Sequence, residues 1–154
     1  MMATMSLAMM AGGAAYEFRW RRWALLRDCV VHHLEGGAPA SRFPLLVSIG
    51  RALGEGGLKL DPALLAAELR KIQGEFAAHK VTAMMLGPET ASVLYLGARG
   101  SEAGRVMTES ERREISATDD NMSLAAFFEV FFSNALAVCQ RAAELGAAVE
   151  VVDL

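Results

Sequence analysis

The chain has 154 residues, of which 53% are hydrophobic and 21% are charged, and its formal net charge at pH 7 is −3. A chain of this length fits one domain with a sizeable core, and its composition excludes a globally disordered chain and a strongly basic nucleic-acid binder. Its two cysteines, Cys29 and Cys139, are too few for a disulfide scaffold, so we predict a cytoplasmic protein.

The first fifteen residues contain five methionines, the pair Gly12-Gly13 and no charged side chain. They lack the basic start of a secretory signal, and no apolar face repeats within them. We therefore predict that residues 1–15 form a disordered leader, with a docked strand or helix as the alternative. Residues 16–154 are then the folded domain.

Apolar residues recur at helical spacing in three segments of the first half, and a short apolar run indicates a strand or extended link between the second and third segments. Glycines end the first two segments, whereas Asp61 and Pro62 begin the third as an N-cap and a first-turn proline. The predicted helices cover residues 20–34, 43–53 and 62–78, and the strand covers residues 58–60.

In the second half of the chain, two short apolar runs predict strands, and so does the alternation of apolar and polar residues in the last six residues. A long amphipathic pattern after Ser123 predicts the longest helix, which Gly146 ends. Residues 99–122 carry ten charged residues and little apolar content, which predicts a mobile loop with one brief helix. The predicted strands cover residues 81–86, 92–96 and 149–154, the brief helix covers 109–115 and the long helix begins at 124.

These elements predict an α+β fold: a single domain of about four helices packed on a small sheet of three to four strands. The apolar stripes of the third helix and the last helix match, so their side chains should meet in one core. A cavity for an apolar ligand or a dimer face is the alternative for the phenylalanine-rich helix at 124–139. The predicted shared core consists of Leu65, Leu69, Ile72, Phe76, Phe128, Phe131 and Phe132.

Arginine and tryptophan interleave at the start of the first helix, and both residue types are enriched at the centres of protein interfaces. At least two of the arginines must leave the apolar face of that helix, so they can meet an acidic partner. A partly buried structural helix and a nucleic-acid surface are the alternatives, and the acidic net charge disfavours the second. The interface candidates are Arg19, Trp20, Arg22, Trp23 and Arg27.

Cys29 and His33 lie four residues apart in the first helix, the spacing of a metal pair or of a thiolate with its base. No further ligand stands at a recognised spacing, and no group is evident that would orient the imidazole. We therefore interpret Cys29 as a buried structural residue and predict no catalytic residue, no metal ligand and no cofactor. The glycines at 50–57 follow a helix, which fits plain turns and not a phosphate loop.

Charge is divided along the chain: residues 1–80 carry ten Lys or Arg against seven Asp or Glu, whereas residues 81–154 carry five against eleven. The two halves either neutralise each other within the fold or form surfaces that steer charged partners. We predict a small protein-binding module of the immunity, antitoxin or adaptor type, because these features fit a binding protein better than an enzyme.

The predicted partner is a protein with an acidic surface, and a homodimer is compatible with the same features. No apolar segment is long enough to span a membrane, and nucleic acid is disfavoured as a partner. The alternative is a small-molecule enzyme or ligand-binding protein that uses Cys29 with His33, or the phenylalanine-rich helix at 124–139.

Overall fold

A computed structural model describes residues 6–52, 57–80 and 122–154 of the chain. These residues form five α-helices and a four-stranded antiparallel sheet with the strand order β2-β1-β4-β3, which confirms the predicted α+β fold. The strands are β1 (Ser6–Ala11), β2 (Ala14–Arg19), β3 (Leu58–Leu60) and β4 (Val149–Asp153). The helices are α1 (Trp20–His33), α2 (Pro44–Ser48), α3 (Pro62–Phe76), α4 (Leu124–Phe127) and α5 (Glu129–Leu145), and a 3₁₀ turn (Ile49–Arg51) follows α2.

The prediction of a disordered leader is wrong for residues 6–15. β1 lies between β2 and β4, and its Leu7 and Met9 side chains are fully buried. Gly12 has a φ of 57°, a left-handed value that suits glycine, and it turns the chain into β2. The methionine-rich segment therefore supplies a central strand, because its alternate residues are apolar enough to cover the core.

The two faces of the sheet differ in polarity, as the alternation of side chains along a strand requires. On one face, side chains of β1, β2 and β4 enter the core beside α5. On the other, which we call the open face, most side chains are exposed and several are charged. Lys59 and Glu150 are cross-strand neighbours of opposite charge there. The open face carries Ala8, Met10, Ala15, Glu17, Arg19, Lys59, Glu150 and Val152.

The helices confirm the predicted shared core. Asp61 caps α3 by accepting a 2.9 Å hydrogen bond from the backbone N–H of Leu64. At the other end of α3, the ring of Phe76 lies 6.1 Å from that of Phe128 and 6.3 Å from that of Phe132, centroid to centroid. The seven buried residues of the predicted core are Leu65, Leu69, Ile72, Phe76, Phe128, Phe131 and Phe132.

The longest predicted helix is divided in two. α4 ends at Phe127 and α5 begins at Glu129, because Phe128 between them leaves helical geometry with a φ of −100° and a ψ of 15°. At this break the Phe128 ring is buried while the Phe127 ring stays partly exposed. Gly146 ends α5 with a left-handed φ of 62°, as predicted.

Of the other predicted elements, β3 and β4 are confirmed, and the second helix is shorter than predicted because the chain tightens into the 3₁₀ turn after Ser48. A β-bridge joins Lys80 to Ser123, so the chain returns at Ser123 to the place that it left at Lys80. The predicted strands at 81–86 and 92–96, the helix at 109–115 and nearly all of the predicted loop at 99–122 lie outside the described residues.

Gly50 lies in the 3₁₀ turn against the indole ring of Trp23. A β-carbon at Gly50 would lie 2.4 Å from Cη2 of that buried ring, which is closer than non-bonded atoms approach. We expect Gly50→Ala to lower the free energy of unfolding by about 1 to 3 kcal/mol, since the indole has no room to move. The control is Gly74→Ala in α3, where no described atom other than the backbone of the same helix turn lies within 4 Å of the new carbon.

The control variant should gain about 0.5 to 1 kcal/mol, because alanine is the better helix former. Urea denaturation of both variants measures the difference. A Gly50→Ala protein as stable as the Gly74→Ala protein would contradict the close contact with Trp23.

Candidate functional site

The interface candidates of α1 divide into two groups, and the first consists of the buried Trp23 with the partly exposed Trp20 and Arg27 beside it. Trp23 is 1% exposed, and its Nε1 donates a 3.2 Å hydrogen bond to the backbone carbonyl of Leu46. The half-buried Trp20 lies beside it, with 6.2 Å between ring centroids. The Arg27 guanidinium lies over the Trp23 ring at 4.9 Å and 2.7 Å from the Asp28 carboxylate. Trp23 is therefore too buried to contact a partner, and the Asp28 carboxylate neutralises the charge of Arg27.

Arg22 forms the second group, on the side of α1 that faces α4. Its guanidinium carbon lies 4.6 Å from the centre of the Phe127 ring and 5.4 Å from that of Phe128. Its Nη2 donates a 2.9 Å hydrogen bond to the backbone carbonyl of Phe127, in the last turn of α4, where helix geometry leaves carbonyls without intrahelical donors. Arg22 therefore joins α1 to α4 through a contact at the protein surface.

Tyr16 completes what we call the Arg22 surface, which consists of Tyr16, Arg22 and Phe127. The Tyr16 ring stacks on Phe18 and meets Phe131 edge to face, with centroid distances of 5.3 Å and 5.8 Å. Burial raises the pKa of Tyr16 and lowers the pKa of Arg22, and the attraction between the two groups partly opposes both shifts. Arg19, just before α1, is also exposed, but its side chain lies on the open face of the sheet, on the side opposite that of Tyr16.

Cys29 and His33 have the properties of buried groups, which favours the interpretation of Cys29 as structural. Cys29 is 2% exposed, and burial, together with the nearby Asp28 carboxylate, raises the pKa of its thiol well above the usual range. Burial lowers the pKa of His33 to about 4, and His32 and His79 act in the same direction. A nucleophilic cysteine needs the opposite shift of its thiol.

The three histidines of the chain meet between the ends of α1 and α3. The His33 ring lies 4.7 Å from that of His32 and 5.0 Å from that of His79, centroid to centroid. The Nε2 atom of His33 is buried, and no described residue supplies a hydrogen bond to it. In the described part of the chain no group of three His, Cys, Asp or Glu side chains is arranged to hold a metal ion. The effect that we expect from the cluster is a dependence of stability on pH.

We expect the free energy of unfolding to fall as the pH is lowered from about 6.5 to about 4. Over that range the unfolded chain binds a proton at His33, whose ordinary pKa is 6.5, while the folded chain resists it until about 4. The loss should be about 1 to 2 kcal/mol, because solvent reaches part of the side chain and screens its charge. Denaturation curves at several pH values measure it.

The variant His33→Gln should lose this component of the pH dependence and thereby separate it from the titration of carboxylates. His32→Gln is the comparison variant: it keeps the buried imidazole and the burial that chiefly lowers its pKa but removes the contribution of His32, so it should lose only part of the pH dependence. Identical pH profiles for His33→Gln and the unchanged protein would contradict the assignment.

A buried carboxylate, which the sequence analysis missed, holds the loop between α1 and α2. Glu35 is 6% exposed, and its two oxygens accept three backbone hydrogen bonds. The three donors are the N–H groups of Ala40, Arg42 and Phe43, at 3.1, 2.9 and 2.9 Å. Phe43 leads directly into α2, whose Leu46 carbonyl accepts the hydrogen bond from Trp23. A glutamate before two glycines gives no local sign of such burial, so the sequence offered no signal for it.

Two further contacts attach this loop and α2 to α3. The Glu68 carboxylate accepts hydrogen bonds of 3.1 Å from the backbone N–H groups of Leu45 and Leu46, and burial raises the pKa of Glu68. Arg42 binds both oxygens of Glu75 at 2.9 and 2.6 Å, and this contact lowers the pKa of Glu75. α2 is therefore fixed as the support on which Trp23 packs.

The phenylalanine-rich segment contributes its rings chiefly to the core: Phe128, Phe131 and Phe132 are buried, and Phe127 is partly exposed beside Arg22. None of the helices in the described ranges has both the length and the apolar character that crossing a membrane requires. Comparison of the chain with protein-family models, with curated proteins and with solved structures found no match.

Proposed function

We propose that this protein is a small protein-binding module, of the kind that immunity, antitoxin and adaptor proteins represent, and that its Arg22 surface binds an acidic partner. The observation that carries the proposal is the guanidinium of Arg22, held at the surface over the Phe127 ring and by the Phe127 carbonyl. Arginine and aromatic side chains dominate the residues on which binding energy depends in protein interfaces.

The fixed position of Arg22 lowers the cost of binding. A flexible surface side chain loses about 0.5 to 1.5 kcal/mol of rotamer freedom when a partner immobilises it. The ring contact at 4.6 Å and the hydrogen bond at 2.9 Å already restrict Arg22 in the unbound protein. A guanidinium has five N–H donors, and those that the Phe127 carbonyl leaves unused can bind a carboxylate through two parallel hydrogen bonds.

Electrostatics favours an acidic partner at this surface. Arg19 is exposed and Arg22 bonds to a neutral carbonyl, whereas the nearby Arg27 is paired with Asp28 and contributes less to the external field. The positive charge of Arg22 speeds the encounter with an acidic protein and opposes the approach of a basic one. The net charge of −3 for the whole chain makes this a local effect.

The test is capture of bound proteins from the source cell with three forms of the full chain: the unchanged protein, Arg22→Glu and the control Arg70→Glu. Arg70 is an exposed arginine of α3, so the control makes the same change of charge on another surface. We expect Arg22→Glu to lose a protein that the other two forms retain. With that protein purified, Arg22→Glu should weaken binding about 30-fold or more, which corresponds to about 2 kcal/mol.

Arg22→Lys gives a second comparison, because it keeps the positive charge but cannot bind a carboxylate in the same planar manner. We expect it to bind more weakly than the unchanged protein, with a faster dissociation and a nearly unchanged association rate. Thermal unfolding must show that each variant is folded. Equal capture by the Arg22→Glu and Arg70→Glu proteins, or capture of nucleic acid in place of protein, would overturn the proposal.

A further inference from the structure

We propose that two copies of this chain pair through the outer edge of β2, in antiparallel orientation about a two-fold axis, to form one continuous sheet. In the described part of the chain, β2 pairs with β1 alone and β3 pairs with β4 alone, so these two strands form the edges of the sheet. The occupant that fits the β2 edge is a second copy of β2, because Glu17 and Arg19 of this strand carry opposite charges that can meet in antiparallel pairing.

The two edges differ in how well they resist such pairing. β3 has three residues and carries Lys59 on the open face, and short strands with lysine are devices that prevent edge-to-edge association. β2 has six residues and no proline, and its register with β1 runs from Ser6–Arg19 to Ala11–Ala14 without a bulge. The long, regular edge is therefore the one able to accept another strand.

The hairpin fixes which backbone groups of β2 point outward. A two-residue turn makes Ala11 and Ala14 a hydrogen-bonded pair, and every second residue of β2 then bonds to β1. The residues between them direct their N–H and C=O groups away from β1, toward the outer edge. By this alternation the outward groups belong to Ala15, Glu17 and Arg19, whose side chains also lie on the open face.

Charge then selects the register of the two copies. With the axis at Phe18, Glu17 of each copy lies opposite Arg19 of the other, which gives two ion pairs and roughly four backbone hydrogen bonds. A register that places Glu17 opposite Glu17 of the other copy brings like charges together. The next register places Glu17 opposite the uncharged Ala15, so Glu17 has no ion pair there. The same face already contains an opposite-charge pair across strands, Lys59 with Glu150. Because few residues pair, the dimer should be weak and dependent on concentration.

This inference does not depend on the acidic partner, because it can be tested on the purified chain alone. Sedimentation velocity over a series of protein concentrations at low salt should show a monomer–dimer equilibrium. Glu17→Arg and Arg19→Glu should each abolish the dimer, since each places like charges opposite one another. The double variant Glu17→Arg/Arg19→Glu should restore it, because the ion pairs form in the opposite sense.

Mixing the two single variants gives an independent test, because Glu17→Arg and Arg19→Glu proteins carry complementary edges and should form a heterodimer. Glu17→Pro tests the backbone contribution: it removes an outward N–H and leaves the bonds between β1 and β2 in place, so the protein should stay folded and become monomeric. A monomer at every concentration, or a dimer that survives both single charge changes, would overturn the proposal.

Discussion

Phe131→Ala should lower the free energy of unfolding by about 3 to 5 kcal/mol. Phe131 is 1% exposed, and its ring meets those of Phe18 at 5.3 Å and Tyr16 at 5.8 Å, both edge to face. These contacts join α5 to β2, so the substitution removes buried apolar area and leaves a cavity between the helices and the sheet. Guanidinium chloride denaturation gives the value.

The control is Val130→Ala, one residue earlier on the same helix, where the side chain is 65% exposed. That change should alter the free energy of unfolding by less than about 0.5 kcal/mol, as is usual for surface positions. A loss below about 1 kcal/mol for Phe131→Ala would mean that the ring is not part of the core.

Glu35→Ala should cost about 2 to 4 kcal/mol, because it removes the acceptor of three backbone N–H groups in a loop that leads into α2. One of the donors, Ala40, has a φ of 66°, a left-handed value that residues other than glycine rarely adopt. The carboxylate therefore holds a loop conformation that the chain would otherwise leave. Glu35→Gln should lose less stability than Glu35→Ala, since one oxygen acceptor remains while the other becomes an N–H₂ donor facing other donors.

Glu144→Ala is the control for charge alone, because Glu144 is exposed and its contact with Arg141 is 3.4 Å long. Exposed ion pairs of this kind contribute little, so we expect a change below about 0.5 kcal/mol. Chemical denaturation compares the three variants. Equal stability of Glu35→Ala and Glu144→Ala would contradict the role of Glu35 in the loop.

The helices that the sequence predicted well are those whose signals are local. Asp61 and Pro62 begin α3 as predicted, and Gly146 ends α5 as predicted. The division at Phe128 could not be predicted, since the phenylalanines continue at helical spacing through the break. β1 was missed because its sequence, rich in alanine and methionine, has low strand propensity, and pairing with both neighbours decides its conformation.

The candidate surface was predicted from composition, and composition cannot tell which side of a helix a neighbour will cover. Trp20 and Trp23 are the same residue type three positions apart, yet only Trp23 lies under α2 and the 3₁₀ turn. Arg22 and Arg27 were predicted as equivalent, but Phe127 of α4 engages the first and Asp28 the second. The burial of Trp23 and the contact of Arg22 depend on segments distant in sequence, which no local pattern contains, whereas Asp28 is adjacent to Arg27 in the chain.

The pairing of β1 with β4 has a consequence for how the protein is made. Met9 pairs with Val151, so the centre of the sheet joins strands from opposite ends of the described chain. During synthesis β1 leaves the ribosome long before β4, so β1 can pair with β2 but not with β4 until β4 has emerged. The pairing of Met9 with Val151 closes a loop that includes nearly all of the described residues, and contacts between residues so distant in sequence slow folding. Over that interval the nascent apolar strand is exposed to binding by chaperones or to self-association, and the rate of translation sets how long the exposure lasts.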